Sequence, residues 1–235
     1  MNPNDPNVVL LEHVAQRLDA ALRDELVFVG GAVAGLLITD PAHPAIRPTR
    51  DVDLIVRVVT RRDYYGVEQR LSALGFTRDL SAEAPICRWR IDSTVIVDVM
   101  PTLDEILGFA NRWYPLALDT ALSVYLPSGT PIRLIAPPAF LATKLEAFAG
   151  RGGGDYLFSH DLGDAISLID GRVSLVDECR VADVELRAYL AGCWRTLLDT
   201  PAFIEALPGH LPGDAASQER LPDLIRVLEA LASLR

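Results

Sequence analysis

The sequence predicts an α/β (α+β) protein in which a mixed sheet flanked by helices is followed by an all-helical C-terminal half. Three observations predict it. Short β-branched runs at Val27–Val29, Asp51–Val56 and Val95–Val99 alternate with segments whose apolar residues recur at helical spacing. After Pro137 the β-branched runs stop and helical spacing continues alone. Of the 235 residues, 50% are hydrophobic and 23% charged, enough apolar surface to bury a core and too little charge for a disordered chain. The boundary is placed at 136, giving a core over 1–136 and a helical domain over 137–235.

Residues 8–24 carry Val9, Leu10, Val14, Leu18 and Leu22 at helical spacing and predict one amphipathic helix. Leu26–Val29 reads as a buried strand running into Gly30-Gly31. The small apolar run Ala32–Leu37 predicts a helix packed closely on a sheet. Asp40–Pro48 holds three prolines and reads as a surface loop, after which the chain returns as the strand opened by Asp51-Val52-Asp53. A helix follows over 62–74, closed by Gly75. Pro85–Ile91 and Thr94–Met100 predict a hairpin about Asp92-Ser93, residues 103–113 a short helix, and 121–135 two strands about Pro127-Ser128-Gly129.

In the second half, Phe140, Leu141, Leu145 and Phe148 mark a helix that also carries Lys144. Arg151–Asp155 is a glycine-rich break. Ser159 then caps a helix running through Leu168, with Asp161 and Asp164 in its first turn, where the helix dipole favours negative charge. Helices over 182–198 and 218–233 are separated by a Pro/Gly-rich break at 207–213.

A formal charge of −10 argues against a surface built to grip long nucleic acid, because phosphate binding rests on Lys and Arg. A local basic mouth is compatible with it. Arg47, Arg50, Arg88, Arg90 and Arg151 are the candidates, with Trp89 available to stack a base; solvation of the surface is their ordinary role. No apolar run reaches the roughly 18 residues needed to cross a bilayer, and Met1–Asp5 lacks the basic start of a secretory signal. The expectation is no membrane and a cytoplasmic location. Cys87, Cys179 and Cys193 have no C-x-x-C spacing and the four histidines are scattered, which argues against zinc.

The chemistry concentrates at the acids. Successive side chains of a strand alternate faces, so Asp51 and Asp53 project to the same side. Two carboxylates held that close repel unless a cation lies between them, and hard oxygen donors suit Mg²⁺ or Mn²⁺. Asp98 sits alone in the apolar strand Val95–Val99, where a buried acid needs a partner or a metal. Gly30-Gly31, at a strand-to-helix turn, lets backbone N–H groups approach a phosphate. Of the 22 cationic residues, 21 are arginine, and Lys144 is the one lysine. A compact ammonium suits a phosphate as a point charge.

Val29-Gly30-Gly31, then Thr49-Arg50-Asp51-Val52-Asp53, then Asp98 on a later strand resembles the DNA polymerase β-type nucleotidyltransferase superfamily. More narrowly, Ala142-Thr143-Lys144-Leu145-Glu146-Ala147, Arg151 and Ser159-His160-Asp161-Leu162-Gly163-Asp164 are similar to motifs of the AbiEii/AbiGii toxin nucleotidyltransferases. The likeness spans roughly residues 26–170 and is ordered along the chain; the Pro-rich stretch between Gly31 and Asp51 is longer than in those toxins.

The resemblance implies a nucleotidyltransferase fold and transfer of an NMP from an NTP to an acceptor hydroxyl. Asp51, Asp53 and Asp98 would hold Mg²⁺ or Mn²⁺, and Asp98 would also help draw off the hydroxyl proton. Gly30, Gly31, Lys144 and Arg151 would contact the nucleotide, and Asp161 would orient Lys144 or the acceptor. The resemblance implies a tRNA 3′ end as acceptor in a toxin–antitoxin or phage-defence setting, with a cognate antitoxin as partner. Relatives modify proteins or small molecules, so those acceptors stay open, as does a non-catalytic nucleotide- or partner-binding module. A D-x-D strand also occurs in nucleotide-sugar glycosyltransferases; the Gly-Gly turn and the third acid stand against that reading.

Overall fold

The computed structural model describes residues 1–108 and 110–235. They form two compact units, Met1–Gly35 with Arg47–Ala136, and Leu36–Ile46 with Pro137–Arg235. The expected cut at 136 therefore gains an exception: the Pro-rich stretch 36–46 belongs with the helical unit.

The first unit opens with α1 (Pro6–Arg17) and α2 (Ala20–Glu25) where the periodicity predicts one helix. The break comes at Leu18, which is extended, and Asp19, whose carboxylate caps α2 by accepting from the Leu22 N–H. Strand β1 (Val27–Val29) runs into a 3₁₀ turn at Gly31–Val33 and then α3 (Ala34–Leu37), within which the chain leaves this unit. Strand β2 (Asp51–Val56) is followed by α4 (Arg61–Ala73), whose start is locked by a capping box between Thr60 and Asp63. Gly75 takes a φ of 86°, the left-handed position expected after a helix end. Then come β3 (Thr77–Arg78), β4 (Arg88–Ile91), β5 (Val95–Pro101), α5 (Asp104–Leu107), α6 (Tyr114–Asp119), β6 (Leu122–Tyr125) and β7 (Pro131–Leu134). The helix predicted over 103–113 includes Phe109, which lies outside the described residues.

Among the described residues the strands form one mixed sheet in the order β3-β4-β5-β2-β1-β7-β6. β2 runs parallel to β5 and antiparallel to β1, and β4 turns back on β5 as the predicted hairpin. Asp92 and Ser93 both have positive φ in its loop. The first half of β2 alternates, with Val52 and Leu54 fully buried and Asp51 and Asp53 half-buried on the opposite face. Val27, Phe28, Val97 and Val99 join Val52 and Leu54 in the core.

The second unit is helical: α7 (Pro137–Arg151), α8 (His160–Gly171), α9 (Leu175–Arg180), α10 (Val184–Leu198), α11 (Pro201–Ala206), α12 (Ala215–Gln218) and α13 (Leu221–Ala232). α7 packs on α8, α9 and α10, and α10 packs on α13. Leu186, Leu190, Trp194, Leu224, Leu228 and Leu231 are buried, as expected for amphipathic faces. Segment 36–46 docks on the end of α8, where the Gly171 carbonyl accepts from the Thr39 and Asp40 N–H groups. No helix among the described residues is long and apolar enough to cross a membrane.

Candidate functional site

The acids expected to act together do converge. Parallel pairing of β2 with β5 sets Asp53 directly beside Asp98, and Asp51, two residues back on the same face, completes the group. One carboxylate oxygen from each lies within 4.8 Å of the others. Oxygens that share one Mg²⁺ stand about 3–4 Å apart given Mg–O lengths near 2.0–2.1 Å, a separation that this bound admits. Three hard oxygen donors with no sulfur or imidazole among them fit Mg²⁺ or Mn²⁺.

The glycine turn adjoins this group. Antiparallel pairing puts Val29 opposite Asp53, and Gly30 follows with φ 74° and ψ −166°, a backbone region essentially restricted to glycine. A Cβ placed on Gly30 would stand 1.9 Å from Oδ2 of Asp53. Gly30 thus serves the carboxylate as well as the turn. Gly31 is buried and opens the 3₁₀ turn.

Asp98 has a partner that sequence reasoning placed elsewhere. Arg88 lies directly across the hairpin, and its Nε and Nη2 donate to Oδ1 and Oδ2 of Asp98 at 2.9 and 2.7 Å. These bonds push the guanidinium's hold on its proton above its ordinary range against the opposing effect of burial, and the charge of Asp51 adds to the push. Arg88 is therefore part of the acid face and not a solvating surface group. Its neighbour Cys87 is buried, and burial followed by the Asp98 charge pushes its thiol up to about 12, which leaves it inert at neutral pH.

One member of the expected basic mouth, Trp89, is corrected. In β4 the alternation that aims Arg88 and Arg90 at one face sends Trp89 to the other, where it is 1% exposed and cannot stack a base. Arg90 is held by Asp79 at 2.8 Å, and Arg151 by Asp161 at 2.9 Å. Arg47 and Arg50 are exposed.

In the helical unit, Lys144, Arg151, Asp161 and Asp164 form a second cluster. Lys144 Nζ donates to Asp164 at 2.7 Å and to Asp161 at 3.2 Å, and Arg151 grips Asp161 through Nε and Nη2. Lys144 and both acids are buried. Burial pushes the Asp161 carboxyl up, but the Arg151 bonds and the Lys144 charge outweigh it and hold the group below its ordinary range. The Ser159 cap forms as expected. Asp164, however, lies beyond the first turn, and its placement is explained by Lys144 and not by the helix dipole.

Two residues of the site escaped the sequence. Counting pairs outward from the three-residue loop Asp92–Thr94 sets Arg88 opposite Asp98, but a two-residue loop would set it opposite Val97, so the signal hung on loop length. Asn7 is buried in α1, where its amide donates to the Arg47 carbonyl and accepts from the Thr49 N–H, fixing the lead-in to Asp51. Nothing local to Asn7 announces that role. Compared with known families and with curated proteins, the chain matches no family model and no curated sequence.

Proposed function

We propose that the chain is a metal-dependent nucleotidyltransferase of the DNA polymerase β type, similar to the AbiEii/AbiGii toxins, that moves an NMP from an NTP to an acceptor hydroxyl. The observation that carries this reading is the convergence of Asp51, Asp53 and Asp98 beside the Gly30 backbone, on one face of the sheet and at one strand end. A group of acids alone is common. Acids joined to a glycine that a side chain would drive into Asp53 are a more restrictive combination.

The three acids would hold one or two divalent cations, which when bound neutralise the triphosphate and acidify the attacking hydroxyl. Asp51 and Asp53 would hold the cation that takes the nucleotide's polyphosphate, and Gly30-Gly31 would supply close backbone approach to it. Asp98, by the same resemblance, would help draw off the acceptor's proton. The acceptor oxygen forms a bond to the α-phosphorus in line with the leaving oxygen, the bond to the β-phosphate breaks, and pyrophosphate departs. Lys144, Arg151 and Asp161 enter this reading through the resemblance; their support here is that they form one connected cluster.

The test is incubation of the purified protein with each α-³²P-labelled NTP, Mg²⁺ or Mn²⁺, and total RNA, resolving RNA, protein and small molecules separately. Transfer of label is expected from the wild type and loss of at least 10²-fold from Asp51→Asn and Asp53→Asn, the order reached when electrostatic stabilisation of a transition state is removed. Label in a tRNA-sized band identifies the acceptor implied by the resemblance, and label on protein or a small molecule identifies the others. Full transfer by either variant sinks the assignment of the acids.

A further inference from the structure

The Arg88–Asp98 fork has a lopsided burial: the Arg88 side chain is 27% exposed and that of Asp98 10%. A buried carboxylate needs a cationic partner at all times, whereas a part-exposed guanidinium can return to water at small cost. The fork also engages both oxygens of the one acid that β5 contributes to the triad. With Arg88 turned outward, both oxygens of Asp98 are released to a cation.

We propose that Arg88 is the resident counter-ion of the carboxylate triad: it holds Asp98 until a divalent cation takes its place, and so couples assembly of the metal centre to the arrival of cation and nucleotide. The inference rests on the metal reading given above and assigns Arg88 a positioning role within it. A purely structural ion pair would behave differently, since its loss would loosen the site and weaken cation binding. Loss of a competing counter-ion strengthens it, because a positive charge a few ångströms from a dication opposes binding and because Asp98 no longer has to be released.

The experiment is Mn²⁺ titration of the intact protein without nucleotide at pH 8, followed by electron paramagnetic resonance of free Mn²⁺, with circular dichroism as the fold control. R88Q is expected to bind Mn²⁺ about ten-fold or more tightly than wild type, with R88K, which keeps the charge but loses the fork, in between. Adding a non-hydrolysable NTP should narrow the gap, since the wild type then has the drive to release Asp98. Equal or weaker Mn²⁺ binding by folded R88Q overturns the inference and leaves the metal centre standing. Should R88Q fail to fold, R88K decides: several-fold tighter binding is expected, and wild-type affinity overturns it. Absence of Mn²⁺ binding by wild type and both variants, with or without nucleotide, overturns the metal reading and this inference together.

Discussion

Gly30 and Asp53 occupy space that cannot hold one methyl group more: a Cβ on Gly30 would lie 1.9 Å from Asp53 Oδ2 and 2.7 Å from its Cγ. The two residues face each other because β1 pairs antiparallel with β2, Val29 opposite Asp53, and the chain turns at the next residue. The carboxylate therefore lies against backbone on one side, with Asp98 its register neighbour on β5.

Replacing Gly30 with alanine should displace the Asp53 carboxylate and strain a backbone at φ 74°. The expected cost is about 1–3 kcal/mol of stability, with loss of Mn²⁺ affinity beyond what that destabilisation explains. Gly66→Ala on α4 is the control, because nothing lies within 4 Å of its Cβ position and its φ is ordinary for a helix. Comparable Mn²⁺ affinity in the two variants would show that Gly30 serves only the turn.

Lys144 is the shared cation of two buried acids, so its removal leaves Asp161 and Asp164 without their common partner. Lys144→Met should cost about 3–5 kcal/mol of stability, the range for breaking one side of a buried pair. The double variant Lys144→Met with Asp164→Asn should recover part of that loss. Urea denaturation followed by circular dichroism measures both, and an additive double variant would mean that the pair is not coupled. The resemblance implies a loss of nucleotide affinity as well, and burial of Lys144 adds this folding cost to it.

Asp161 supplies a pH dependence with a definite sign. Its folded carboxyl is held below the ordinary range, while the unfolded one binds a proton near pH ~3.9. The unfolded state thus takes up protons first as pH falls, and the stabilisation is complete above about pH 4 and lost through the depressed folded value. Wild-type stability should accordingly fall more steeply as pH drops below ~4 than that of Asp161→Asn. Urea midpoints across this range give the comparison, and parallel profiles would remove Asp161 from the account.

Much of the site was legible because its parts are local. Asp51 and Asp53 share a face by the alternation of a strand, and Gly30-Gly31 and the Ser159 cap are short-range geometry. The registers were not local. Asp98 joins the triad through parallel pairing of β2 with β5, strands separated by a helix and a hairpin. Arg88 reaches Asp98 only because the loop at Asp92–Thr94 has three residues, and the same register turns Trp89 into core.

The sequence by itself determined the two-part architecture, the strands and main helices, the paired carboxylates and the glycine turn, since each follows from periodicity or backbone preference within a few residues. Tertiary structure decided which charges meet. It gave Asp98 to Arg88 as well as to the triad, joined Lys144 to Asp161 and Asp164, and took 36–46 into the helical unit. The physical reason is that a buried charge is satisfied by whichever opposite charge the packing brings within about 3 Å, and packing is a property of the whole chain.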